Sequence, residues 1–209
     1  MQVSSPLQIH QLAPTRHQSE RTAPPTHIVL HHALVWDVPT ARKVLDRTET
    51  STHFLIGPDG EVYQLCDPGE RAWHCWSPTG FWNEHGIGID LVNRLSPKHE
   101  QSALNRGWSR VIRTDGFGEG RPQGYIPDTD AALRSAWELC QMLSERYGFG
   151  LRTAPPAVWS PSDAAEKWDI VAHATVSEHK VTGRRNRWDG WATLAGWRRL
   201  GLAGPVGLG

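Results

Sequence analysis

The alternation of apolar and polar positions marks a chain of short strands separated by helices. His27-Ile28-Val29-Leu30-His31-His32 is a β-branched apolar run with the length of a buried strand, and it ends in two histidines. Pro39 opens a short helix over residues 39–48. Thr52 to Ile56 and Glu61 to Leu65 flank Gly57-Pro58-Asp59-Gly60, a turn signal that predicts a β-hairpin. Gly86 to Val92 alternates small and large apolar residues. It predicts a central strand whose glycines admit close backbone approach, with Asp90 the one charge inside it.

From residue 93 to 127 the chain is polar, rich in glycine and arginine, and without a clear period. This predicts a long irregular insertion of the kind that shapes a binding site. Asp128 or Thr129 then caps a helix whose apolar positions Leu133, Trp137, Cys140, Leu143 and Tyr147 recur at helical spacing, with Gly148 as its stop. A second irregular stretch carrying Pro155, Pro156 and Pro161 leads to Trp168–His173, another short strand that ends in histidine. Residues 190–200 predict a C-terminal helix. Residues 1–26, polar and proline-containing, read as an extended N-terminal segment ahead of one domain over 27–209. Strands mixed with helices around one sheet make this an α/β single domain, a central mixed β-sheet flanked by helices.

Composition narrows the partners. At 209 residues the chain can bury one sizeable core, so one active site is expected. Lys plus Arg and Asp plus Glu both number 22, which leaves no global field to attract nucleic acid or an anionic membrane. Cys66, Cys75 and Cys140 are too few and too scattered for a disulfide framework or a paired-cysteine zinc module, and read as free thiols of a reducing compartment. The N-terminus lacks the apolar run of a signal peptide, and no stretch approaches the roughly eighteen apolar residues of a membrane span. A cytoplasmic site of synthesis, no membrane insertion and no nucleic-acid partner are the expectations.

Eleven histidines and eleven tryptophans are the unusual features. A catalytic zinc takes three protein ligands and keeps an open position, and imidazoles with a carboxylate are a common set. His31 and His173 at strand ends, with Asp189 on the loop after the second, supply that set. His32 competes with His31, but neighbours along a strand point to opposite faces, so only one of the pair faces a metal.

Ile28-Val29-Leu30-His31-His32, Ser51 to Ile56 followed by Pro58-Asp59-Gly60, Arg71-Ala72-Trp73-His74, Gly86 to Asp90, and Ile170-Val171-Ala172-His173 with Gly183 to Gly190 form ordered blocks. Together they resemble the N-acetylmuramoyl-L-alanine amidase type 2 family, which includes phage lysozyme-type amidases and peptidoglycan recognition proteins. The resemblance covers roughly residues 25–200. It implies a zinc held by His31, His173 and Asp189, with Glu178, His179 and Cys75 as alternatives to the third ligand. It implies hydrolysis of the amide between the lactyl group of N-acetylmuramic acid and L-alanine in peptidoglycan or muropeptides, as in an endolysin that meets the wall after lysis or non-classical release.

One subtype of the family assists the attacking water with a tyrosine where this chain has Thr52. The other uses an acidic residue in the glycine-isoleucine strand, which implies Asp90 as general base, with aspartate where glutamate is more common. Arg187, two positions before Asp189, falls where a cation stabilises the oxyanion. His74, Trp73, Trp76 and Asn83 are implied in substrate binding, and an indole face of Trp73, Trp76 or Trp82 suits a sugar ring. The last block departs from the family pattern, because Val176–Trp188 is long and no proline follows Asp189. A non-catalytic binding module of the same fold, or a zinc amidohydrolase for another amide, are the alternatives.

Overall fold

Four short, mostly apolar runs of three to six residues pair side by side to make the centre of the molecule. In this computed structural model, residues 7–14, 17–77, 79–115, 122–155, 161–176 and 189–203 are described. The strands are β1 (Ile9–Gln11), β2 (Gln18–Glu20), β3 (His27–His32), β4 (Phe54–Ile56), β5 (Val62–Gln64), β6 (Glu70–Ala72), β7 (Gly86–Leu91), β8 (Ile112–Asp115), β9 (Pro122–Tyr125) and β10 (Ile170–Ala172). The helices are α1 (Val38–Arg47), α2 (Phe81–His85), α3 (Glu100–Leu104), α4 (Asp130–Tyr147), α5 (Pro161–Lys167), α6 (His173–Val176) and α7 (Trp191–Arg199).

The main sheet has six strands in the order β1-β5-β4-β7-β3-β10. β3 runs parallel to both β7 and β10, whereas β4 and β5 form the antiparallel hairpin expected around residues 57–60. Alternation sorts the side chains between two faces. Ile28, Leu30, Phe54, Ile56, Ile87, Ile89, Leu91, Ile170 and Ala172 pack on one face against Leu133, Ala136, Leu139 and Leu143 of α4 and Leu194 and Trp197 of α7. Each fully buried aliphatic side chain contributes about 1.5–3 kcal/mol. Val29 and Val171 occupy the other face with Trp82, Cys75 and Ala164.

Local chemistry sets the helix ends. Thr129 caps α4 by accepting from the Ala132 N–H, and Gly148 closes it in the left-handed region at φ 74°. Asp37 caps α1 through the Thr40 N–H at 2.7 Å. Trp197 donates its indole N–H to the Leu133 carbonyl at 2.8 Å, which ties α7 to α4 beneath the sheet.

The structure differs from the sequence pattern in three places. The N-terminal segment is extended, but it forms strands: β1 lies parallel to β5, and β2 pairs antiparallel with β6. These are edge strands of three residues, too short to show a period. Residues 93–127 hold a 3-10 turn, α3 and the β8–β9 hairpin. Residues 161–167 are helical as α5, and the strand expected over 168–173 is shorter, with His173 opening α6. Among the described residues no helix is long and apolar enough to cross a membrane.

Candidate metal centre

The C-terminal ends of β3 and β10 and the start of α7 bring three predicted residues together. His31 lies on β3 on the same face as Val29, while His32 turns to the opposite face, as alternation requires. His173 follows β10 directly. Asp189 precedes α7, and its carbonyl accepts from the Ala174 N–H at 3.0 Å, so α6 and the 189–190 segment hold each other. The His31 and His173 Nδ1 atoms are 3.0 Å apart, and His173 Nδ1 is 3.1 Å from Asp189 Oδ2. All three residues are buried, and one ligand atom from each lies within 4.8 Å of the others.

Proton positions follow from the surrounding bonds. The Gly86 carbonyl can only accept, so His74 Nε2, 3.3 Å away, carries a hydrogen. The neutral ring then leaves His74 Nδ1 as an acceptor, and His31 Nε2 donates to it at 3.0 Å. His31 Nδ1 is thereby the unprotonated nitrogen, and it faces His173 and Asp189. A basic nitrogen, a second imidazole and a carboxylate converging in a buried space suit a divalent cation such as zinc. The bond from His31 to His74 is of the kind that would fix the tautomer and orientation of an imidazole holding a metal. Burial, with the His31, His53 and His173 rings nearby, holds the His74 pKa well below its usual value. Gly88 makes room for this ring, since a Cβ there would sit 2.7 Å from it.

The remaining sequence-predicted residues fall into distinct places. Asp90 pairs in register with His31 from the adjacent strand β7, on the same face, and is 8% exposed. Trp73 and Trp76, either side of His74, are exposed, but Trp82 is fully buried against His27 and Phe81 and offers no platform. Asn83 turns inward: its Oδ1 accepts from the His74 N–H at 3.0 Å and the Cys75 N–H at 2.7 Å, which positions the His74 segment. Cys75 is buried in the apolar cluster with Val29 and Trp82. Thr52 is fully buried. Arg187, Glu178 and His179 lie outside the described residues. All three cysteines are buried, and burial followed by the Glu70 charge pushes the Cys66 thiol up to about 12.

His53 is a support inside the hairpin. Its Nδ1 accepts from the Gly88 N–H at 2.9 Å and its Nε2 donates to the Glu70 carbonyl at 3.1 Å. Burial, then the Arg21 guanidinium beside it, lowers its pKa from 6.5 to about 3. The unfolded chain therefore takes up a proton below about pH 6.5 that the folded chain refuses, so stability falls on acidification toward pH 3 by up to about 1.4 kcal/mol per pH unit from this residue. Urea unfolding at pH 7, 5 and 4 is expected to show a shallower acid loss for His53→Asn than for the parent. Equal slopes in the two proteins contradict this account.

The sequence reading missed a second buried cluster directly behind the first. His32, Asp128, Asn93 and Thr193 meet on the α4–α7 face of the sheet. Burial opposes ionisation of Asp128, but the His32 ring and the bonds from Asn93 and Thr193 outweigh it and hold the carboxyl below its usual range. The available signal was the His31-His32 doublet itself, whose second member must have buried partners of its own.

A mixed sheet that gathers two imidazoles and a carboxylate at its strand ends has the donor set of a three-ligand metal-site domain. The chain belongs to the N-acetylmuramoyl-L-alanine amidase family, which it matches over residues 21–189. No curated protein matches it. Among solved structures it is similar to a mutant of PlyL, with 15% identity over 97% of this chain and 99% of that one and a TM-score of 0.53. It is also similar to a selenomethionine derivative of AmpD, with 19% identity, 94% of each chain covered and a TM-score of 0.51. The endolysin N-acetylmuramoyl-L-alanine amidase LysCS from Clostridium intestinale gives 18% identity, 84% and 86% coverage and a TM-score of 0.50. At these identities the likeness establishes the fold, and the family match establishes the membership.

Proposed function

We propose that the protein is a zinc-dependent N-acetylmuramoyl-L-alanine amidase that cleaves the amide between the lactyl group and L-alanine in peptidoglycan or muropeptides. The observation that carries this reading is the convergence of His31 Nδ1, His173 Nδ1 and the Asp189 carboxylate in a chain of this family. His31, His173 and Asp189 hold the metal in this reading. When bound, zinc supplies a Lewis acid that polarises the amide carbonyl and makes water a nucleophile near neutral pH.

The chain's own groups do the rest. Asp90, on the strand beside His31, takes the proton of the attacking water and returns it to the departing L-alanine nitrogen. Arg187 is assigned the charge that stabilises the carbonyl oxygen, on its position two residues before Asp189. Trp73 and Trp76, exposed on either side of His74, offer apolar faces for a sugar ring.

The deciding experiment incubates the purified protein with peptidoglycan and with soluble muropeptides, zinc-loaded and after chelation. New L-alanine amino groups are expected from the zinc-loaded protein alone, and Asp189→Ala is expected to bring their release close to the chelated background. Zinc-loaded protein that binds the wall without releasing amines is the behaviour of a binding module and overturns the hydrolase reading. Unchanged release by Asp189→Ala overturns the ligand.

A further inference from the structure

We propose that His32 and Asp128 form a clamp that sets the position of Asp189 from the face of the sheet opposite the metal cluster. The two are positioning residues, and the proposal rests on the reading of Asp189 as a ligand. His32 grips two consecutive residues. Its backbone N–H donates to Asp189 Oδ1 at 2.8 Å, and its ring Nδ1 accepts from the Gly190 N–H at 2.9 Å. Two bonds from one residue to a dipeptide fix its rotation as well as its place, so Asp189 Oδ2 is presented to His173.

The tautomer of His32 follows from the Gly190 bond. An amide N–H can only donate, so Nδ1 carries the lone pair and the ring hydrogen sits on Nε2. Nε2 lies 3.1 Å from both oxygens of Asp128, which accept that hydrogen. Asp128 is held in turn: the Asn93 amide donates to Oδ1 and the Thr193 hydroxyl to Oδ2, each at 2.8 Å. Thr193 belongs to α7, the helix that Gly190 opens, so the clamp joins the ligand loop, the helix and the strand into one unit. His32, Asp128, Asn93 and Thr193 are all buried, and an alternative arrangement would strand polar groups without water.

Gly190 completes the fit. It sits at φ 84°, and a Cβ there would come 2.3 Å from the Leu30 carbonyl oxygen and 2.8 Å from Ala172. The segment is therefore wedged between β3 and β10, where a small rotation at residue 190 displaces the carboxylate at 189. This accounts for the glycine, in place of a proline, after Asp189, since proline cannot adopt this positive φ.

The test compares His32→Phe with His32→Asn. Phenylalanine fills the space without an acceptor, whereas an asparagine oxygen falls near the place of Nδ1 and can take the Gly190 N–H. After circular dichroism confirms folding, zinc affinity is measured by competition with a chromophoric chelator, and hydrogen exchange of the Gly190 amide is measured in chelated protein. His32→Phe is expected to lose about 10–100-fold in zinc affinity and the protection of the Gly190 amide, and His32→Asn to recover most of both. Wild-type affinity and protection in His32→Phe overturn the clamp, and so does equal loss in the two variants, which marks general damage. If His32→Phe does not fold, Thr193→Val, which deprives Asp128 of one donor, carries the comparison with a smaller loss in the same direction, and no loss overturns the clamp. If the parent binds no zinc, the ligand reading fails separately, and Gly190 exchange still decides the clamp.

Discussion

His173→Ala is expected to abolish amide cleavage above the chelated background and to weaken zinc binding by more than the roughly 10–100-fold that loss of an outer-shell partner costs. His173 is the shared member of the cluster, 3.0 Å from the His31 nitrogen and 3.1 Å from the Asp189 oxygen. Without it the other two groups hold a cation from two sides only. A ligand that binds the folded state alone adds about 2.7 kcal/mol of stability at a free concentration one hundred times its dissociation constant. The parent is therefore expected to melt at a higher temperature with zinc than with chelator, and His173→Ala to melt at the same temperature in both. A zinc-dependent rise retained in His173→Ala would remove this residue from the ligand set. Comparing each protein with its own chelated form keeps the cost of replacing a buried imidazole out of the result.

The grouping of His31, His173 and Asp189 was legible because each element around it announces itself locally. An apolar β-branched run with a terminal histidine identifies the ends of β3 and β10, and the Gly57–Gly60 turn aligns β4 with β5. Alternation required that only one of His31 and His32 face the site, the family resemblance implied His31, and the structure puts the two rings on opposite faces. The long α4 helix was readable from its Thr129 cap, its apolar stripe and Gly148.

What stayed hidden depends on pairing across the chain. β1 and β2 exist because β5 and β6 offer free edges, and three-residue strands have no period of their own. The partners of His32 lie 96 and 161 positions away, at Asp128 and Thr193. Asp128 and Thr129 both read in the sequence as helix caps; Thr129 takes that role and leaves Asp128 for burial against His32. Asn83 reads as a substrate group, and the structure adds a role that the sequence did not show, since its Oδ1 supports the backbone of His74 and Cys75. Trp82 and Trp76 look alike in sequence, yet one is fully buried and the other exposed, because α2 presents Trp82 to the sheet.

Asp90→Asn separates the proton-transfer role from the ligand-supporting one. Asp90 lies one strand over from His31, at a spacing of about 4.8 Å between neighbouring strands, on the face where His31, His173 and Asp189 converge. Removing a general base of this kind is expected to lower kcat by about 100- to 10,000-fold while zinc affinity stays near that of the parent. Asparagine has nearly the shape of aspartate and keeps the acceptor oxygen, so a group that only orients a ligand would lose little activity, or would lose zinc affinity and activity together. Asp90→Glu tests reach, since it restores the carboxylate one methylene further from β7. If the strand sits close to the metal cluster, glutamate crowds it and activity drops below the parent. If a second water spans the gap, glutamate replaces that water and activity is retained. Full activity in Asp90→Asn would leave the proton to another group and remove Asp90 from the reaction.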